Sequence, residues 1–292
     1  MFSGSLVALL TPFKGGAVDE AAFQALVEWQ INEGTHGLVP CGTTGESPTL
    51  SHAEHKRVTE LCVEVAHGRA PVLAGTGSNA TAEAIELTRH AAASGADGAL
   101  VVTPYYNKPT QEGLYQHFKA IHDSAEIPII IYNIPGRSVI DMSVETMARL
   151  ADLPRIVGVK DASNDLARPL ATRLAIGPDF IQLSGEDATI GAFLGQGGHG
   201  CISVTANVAP RLCADLHAAW QRGDTEVFAS LRDRLMPLHQ ALFIETSPGP
   251  VKYAASVLGL CRPELRLPLI EPSQQSQERV RQGLTAAGVL SG

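Results

Sequence analysis

Along the chain, short apolar runs alternate with longer stretches in which apolar side chains recur every three or four residues. The runs lack polar alternation, the pattern of strands covered on both faces, and the longer stretches have the period of amphipathic helices. The apolar runs lie at residues 1–10, 37–41, 71–74, 98–102, 128–132, 155–161, 180–183 and 199–203. Asp19 opens the first predicted helix, with Phe23, Leu26, Val27 and Ile31 on one face and Gly34 closing it. Ser51 with Glu54 forms a capping box ahead of Val58, Leu61, Cys62 and Val65, and Gly68 ends that helix. Further helices are predicted from Asn79, over 111–124, over 143–151 and over 164–176. Strand signals followed by helices at intervals of roughly 25–30 residues predict an α/β fold, a (β/α)8 TIM barrel.

After Ser203 the strand signal stops, and helical periodicity covers 207–222, 226–243, 250–258 and 276–287. The first of these completes the barrel, and the rest form a C-terminal helical extension. The expected division is a catalytic barrel at 1–224 and a helical domain at 225–292, joined at Gly223-Asp224 without a Pro, Gly or Ser linker.

A net charge of −8 over 292 residues argues against nucleic acid or an anionic membrane as the main partner and favours a small molecule. The five cysteines are scattered and form no CxxC pair, so neither a disulfide framework nor a zinc cluster is expected, and a reduced cytoplasmic setting fits. The N-terminal apolar run breaks at Thr11-Pro12, too short for a membrane segment.

In a barrel the chemistry follows the carboxyl ends of the strands. The run at 155–161 ends in Lys160-Asp161, where an amine can be desolvated and attack a carbonyl, or can simply be solvated. Gly42-Thr43-Thr44-Gly45-Glu46-Ser47 is either a polar turn or a cradle whose N–H groups and hydroxyls meet a carboxylate; lacking a Lys after the second glycine, it is no nucleotide loop. Tyr105, Tyr106 and Asn107 follow the fourth run and Tyr132 closes the fifth, as packing residues or as hydroxyls that pass a proton. Arg137 offers a planar fork for a carboxylate, or is a surface arginine. Gly75-Thr-Gly77-Ser-Asn-Ala80 fits a dinucleotide fingerprint, yet the following run ends in Thr103-Pro104 where a ribose-binding acid would be needed. The run Gly197-Gly198-His199-Gly200 is read as a tight turn into the eighth strand. His52 and His55 have no third partner that would make a metal motif.

Together, GTTGES at 42–47, VTPYYNKPTQEGLYQHF at 102–118, YNIPGRS at 132–138, GVKDAS at 158–163, LSGED at 183–187 and GGHGCISVTAN at 197–207 resemble the dihydrodipicolinate synthase family of pyruvate-dependent Schiff-base aldolases and lyases, end to end. The resemblance implies that Lys160 forms an imine with pyruvate, with Thr44 and the backbone at Gly185 and Ile202 holding that substrate. It implies a proton relay of Tyr132, Thr43 and Tyr106, the last supplied across a dimer interface. Arg137 would bind the carboxylate of L-aspartate 4-semialdehyde, and no metal or organic cofactor would be needed. The product would be 4-hydroxy-tetrahydrodipicolinate, on the diaminopimelate route to lysine. Feedback by L-lysine would use Ser47, His52, His55, Asn79, Glu83 and Tyr105 in a homotetramer built as a dimer of dimers. Pro48 and Thr246-Ser247-Pro248-Gly249 depart from the family's usual residues. A sibling aldolase, such as a sialic-acid lyase or a sugar-acid aldolase, or a non-catalytic binding barrel, are the competing readings. Arg137 separates the first of these, and the full set of Lys160, Tyr132, Thr43 and Tyr106 the second.

Overall fold

The computed structural model describes residues 2–290; position 1 of the first predicted run and positions 291–292 of the C-terminal segment lie outside them. Eight principal strands are β1 (Gly4–Ala8), β2 (Gly37–Val39), β3 (Leu73–Gly75), β4 (Gly98–Val102), β5 (Ile129–Asn133), β6 (Ile156–Asp161), β7 (Ile181–Ser184) and β8 (Gly200–Ser203). The principal helices are α1 (Glu20–Asn32), α2 (His52–Ala66), α3 (Thr81–Ala93), α4 (Gln111–Ser124), α5 (Val144–Ala151), α6 (Arg168–Ile176), α7 (Ile190–Gly195) and α8 (Pro210–Gln221). Three more follow, α9 (Thr225–Ala241), α10 (Gly249–Val257) and α11 (Gln274–Ala286). This is the element order expected of a (β/α)8 fold with C-terminal helices.

Local signals explain most boundaries. Asp19 caps α1 by accepting from the Ala22 N–H, and the Ser51–Glu54 capping box is present in both directions. Several starts differ from the sequence reading by two residues or more. α6 begins at Arg168 rather than near Asn164, because Asn164 has φ +61° and the Asp165 carboxylate accepts from the Ala167 N–H in a turn. α3 begins at Thr81 and α8 at Pro210, each a few residues late. A two-residue antiparallel hairpin, Phe13–Lys14 with Ala17–Val18, was not foreseen; Gly15 and Gly16, both at positive φ, make its turn.

The chain clusters into two compact units, residues 2–3 with 71–202 and residues 4–70 with 203–290. In the first, β3 to β8 run parallel in sequence order. Its core sets Ala99, Val101, Ile129, Ile131 and Val159 against Leu114, Phe118 and Ile121 of α4 and Met147 and Leu150 of α5. Because side chains alternate along a strand, Tyr132 and Lys160 face away from this helix-covered layer. The register pairs them directly, Tyr132 with Lys160 and Asn133 with Asp161. Gly158 admits this arrangement, since a Cβ there would lie 2.4 Å from the Ile181 carbonyl oxygen.

In the second unit β1 and β2 pair in parallel. Asn207 closes the end of β1: its side chain accepts from the Leu10 N–H at 3.0 Å and donates to the Ala8 carbonyl at 2.7 Å. Leu238 of α9 and Val280 and Leu284 of α11 are fully buried, and Gly283 permits the close approach of these helices to Ala241.

One device recurs at the starts of strands. The His36 N–H donates to Ser5 O while His36 Nδ1 accepts from the Ser5 N–H at 2.9 Å, just before β2. His199 and Gln182 repeat it before β8, with Nδ1 accepting at 3.0 Å, and Asp97 with Val72 uses a carboxylate at 2.8 Å before β4. An imidazole can accept at Nδ1 only when neutral there. Burial, the largest influence, holds both His36 and His199 below the ordinary histidine range and so favours this state.

Candidate active site

Lys160, which the sequence reading expects to be the nucleophile, lies in the first unit. Lys160, the fifth residue of β6, is 7% exposed, and its Nζ lies 4.1 Å from the centroid of the Tyr132 ring. Tyr132 is itself buried, and its carbonyl accepts from the Thr103 N–H at 3.0 Å, which couples β5 to the end of β4. The buried amine and phenol thus occupy adjacent strand ends on one face.

A polar network adjoins them one residue further along each strand. Asn133 donates to Asp141 at 2.7 Å and accepts from the Met142 N–H at 3.0 Å. Arg168 grips both oxygens of Asp141 at 2.6 Å and comes within 3.9 Å of Asp161. Asp161 in turn accepts from the Ser163 N–H and hydroxyl. The network fixes residues 133–142, the segment that carries Arg137, with Ser138 Oγ donating to the Ile134 carbonyl at 2.9 Å. Arg137 is exposed and belongs to the single helical turn Pro135–Ser138.

Glu186 was not foreseen as part of this neighbourhood. Burial first and the charge of Asp187 second push its carboxyl above the usual carboxylate range, while the positive charges of Lys160 and Arg137 act in the opposite direction. Gly185 before it tolerates no side chain, because a Cβ would lie 2.6 Å from Ala162 Cβ. Ile202 is buried in β8. Gly77, the second glycine of the dinucleotide-like run, packs on backbone: a Cβ there would stand 2.2 Å from Val102 N.

Tyr106 differs from Tyr132 in being 86% exposed, with its backbone at φ +73°. Beside it, Asn79 donates to the Tyr105 carbonyl at 3.2 Å, and Asn107 donates back to the Asn79 carbonyl at 2.8 Å. Glu83 accepts from the Ser78 hydroxyl at the start of α3. Asn79, Glu83 and Tyr105 therefore belong to one surface neighbourhood.

The second unit holds the hydroxyl turn. Thr44 is buried and Thr43 partly exposed. The turn is tight: Gly45 N–H donates to Gly42 O and Glu46 N–H to Thr43 O, each at 3.1 Å, and Thr11 Oγ1 donates to the Gly45 carbonyl at 2.7 Å. Ser47 begins the 3-10 turn that follows, and His52 and His55 lie in the first turn of α2, the former exposed and the latter buried. Among the described residues no helix is long and apolar enough to cross a membrane.

A buried lysine paired with a tyrosine at neighbouring strand ends suits imine chemistry. Residues 1–287 match the dihydrodipicolinate synthetase family. The chain belongs to that family. It is accordingly a lyase of the Schiff-base aldolase class. It is 69% identical to the 4-hydroxy-tetrahydrodipicolinate synthase of Rhodospirillum centenum over the full length of both chains. A crystal structure of the chloride-inhibited dihydrodipicolinate synthase from Acinetobacter baumannii complexed with pyruvate superposes with a TM-score of 0.97 at 46% identity, covering 99% of this chain and 100% of that one. The enzyme from Cyanidioschyzon merolae with lysine bound gives 0.95 at 38% identity, covering 99% of each. The α/β class with a C-terminal helical extension, expected from the sequence, is the fold the chain has.

Proposed function

We propose that the enzyme condenses pyruvate with L-aspartate 4-semialdehyde through an imine on Lys160, yielding 4-hydroxy-tetrahydrodipicolinate. The observation that carries this reading is the buried Lys160 amine stacked on the Tyr132 ring at 4.1 Å. Nζ adds to the pyruvate carbonyl and water leaves, forming a protonated imine. That electron sink lets the pyruvate methyl lose a proton, and the resulting enamine attacks the aldehyde carbon. The semialdehyde's amine then displaces Lys160 and closes the ring, regenerating the free lysine.

In this scheme Tyr132, Thr43 and Tyr106 carry protons to and from the carbonyl oxygens, and Tyr106 acts on a neighbouring subunit. Its 86% exposure supports that assignment, since an exposed tyrosine is free to reach another chain. Thr44 and the backbone at Gly185 and Ile202 hold pyruvate, and Arg137 binds the semialdehyde carboxylate by its planar fork. The active form is a homotetramer in the cytoplasm, with catalysis in the barrel at 1–224 and the helical domain at 225–292 supporting it.

The enzyme is inhibited by L-lysine through Ser47, His52, His55, Asn79, Glu83 and Tyr105. The Glu83 carboxylate suits an ammonium, and the lysine named in the Cyanidioschyzon merolae structure supports such a ligand. Inhibition and substrate binding are then reciprocal.

The deciding experiment follows pyruvate consumption by the purified protein with L-aspartate 4-semialdehyde, and in parallel with N-acetylmannosamine. Turnover of the semialdehyde alone is expected. Turnover of the sugar alone would keep the imine and overturn the assigned substrate. A protein that gives no mass shift on Lys160 after pyruvate and borohydride is no aldolase at all.

A further inference from the structure

We propose that the fully buried ion pair of Glu46 with Lys252 positions the turn bearing Thr43 and Thr44, so that residues 252–266 near the C-terminus govern how the enzyme handles pyruvate. This rests on the pyruvate role given to Thr44 above. All of the residues concerned lie in the second unit.

Lys252 Nζ donates to Glu46 Oε1 at 2.5 Å, and neither side chain has any exposed surface. The second carboxylate oxygen accepts from the Arg266 backbone N–H at 3.1 Å. Both oxygens of a residue in the hydroxyl turn are therefore held by chain more than two hundred positions away. Glu46 also sits at φ +55°, a left-handed conformation that a non-glycine residue keeps only when its surroundings impose it.

Arg266 extends the clamp along the turn. Its Nη1 donates to the Thr49 carbonyl at 2.8 Å, and its Nη2 reaches Glu54 and the Gly16 carbonyl, each at 2.6 Å. The Phe13 ring lies against both cations, 3.9 Å from Lys252 Nζ and 4.3 Å from Arg266 Cζ. With Thr11 holding the Gly45 carbonyl, Gly45, Glu46 and Thr49 are each pinned.

Stability alone does not call for charges here. Taking two ions out of water offsets much of their attraction, and apolar replacements of similar volume are often as stable. The cost is visible at Lys252, where burial lowers the ammonium's pKa although Glu46 opposes the shift. What a charged pair adds over an apolar one is fixed direction, and the object so directed is the turn that begins at Gly42.

The test is a kinetic cycle of Glu46→Gln/Lys252→Met with Thr44→Val. The pair variant removes both charges, leaving no unpaired ion to unfold the protein. It is expected to raise the KM for pyruvate about tenfold, as small misplacements of a binding group do, while the KM for the semialdehyde stays within about twofold. In the Thr44→Val background the same pair change should add less than about twofold, because coupled sites are not additive. A folded pair variant with the parent's pyruvate KM overturns the proposal, and so does full multiplication of the two effects. Should the pair variant not fold, Arg266→Met serves, since its side chain is 18% exposed. A rise of about threefold then supports the clamp, and the parent's KM refutes it. A parent enzyme that forms no pyruvate adduct on Lys160 would refute the functional reading itself, whereas an intact adduct with an unchanged pair variant refutes only the positioning role.

Discussion

Lys160 and Tyr132 are cross-strand partners whose side chains stack at 4.1 Å on the face turned away from the helices. The ring and the hydroxyl of Tyr132 can therefore be separated. Tyr132→Phe keeps the stacking surface and removes only the hydroxyl proposed to carry protons. Pyruvate should still be trapped on Lys160 by borohydride, with kcat lower by about 10²–10³-fold and the melting temperature nearly unchanged. A kcat within threefold of the parent would remove Tyr132 from the relay.

Arg137 stands outside the buried pair, on a turn held in place by Ser138 and Asn133. Arg137→Ala should leave adduct formation with pyruvate intact while kcat/KM for the semialdehyde drops by about 10²-fold or more, the scale of a lost charge-assisted carboxylate contact. Equal loss of both steps, measured by adduct mass and by turnover, would contradict its assignment.

Arg168 joins the segments after β5 and β6 through Asp141 and Asp161. Asp161 Oδ2 is buried with no hydrogen-bond donor among the described residues, so the arginine's charge is its compensation. Arg168→Met should cost about 1–3 kcal/mol in urea denaturation, below the figure for a fully buried pair because Asp141 is partly exposed. It should also slow adduct formation, since Lys160 immediately precedes Asp161. Unchanged stability would show the network to be incidental.

Three histidines are held neutral by burial. His117 is pushed down to about 4 from 6.5; its Nδ1 lies 2.9 Å from Thr81 Oγ1, and its buried Nε2 has no partner among the described residues. His36 and His199 are lowered in the same direction. Where a folded-state pKa lies below the unfolded one, the unfolded chain binds more protons between the two values. The contribution is complete above about 6.5 and is lost as pH falls towards about 4. His117→Gln should flatten the decline of folding stability across that interval, by an amount on the order of 3 kcal/mol at its lower end. A variant whose pH profile parallels the parent's would show that His117 does not supply it.

Periodicity and capping residues made the alternation of strands and helices legible, because hydrophobic spacing and caps act within a few residues. Lys160 was legible as the end of an apolar run, and the caps at Asp19 and Ser51 act where the residues predicted them. The histidine and aspartate locks before β2, β4 and β8 were present as His36-Gly37, Asp97-Gly98 and His199-Gly200, but their partners lie 17 to 31 residues away, so spacing gave no sign of them. The stacking of Tyr132 on Lys160 needed the strand register, which hydrogen bonds between β5 and β6 set. Glu46 looked like one polar residue of a turn, and Lys252 like an ordinary helix lysine. Their pairing depends on the chain folding back across 206 positions, a choice made by the packing of the whole second unit rather than by any local pattern.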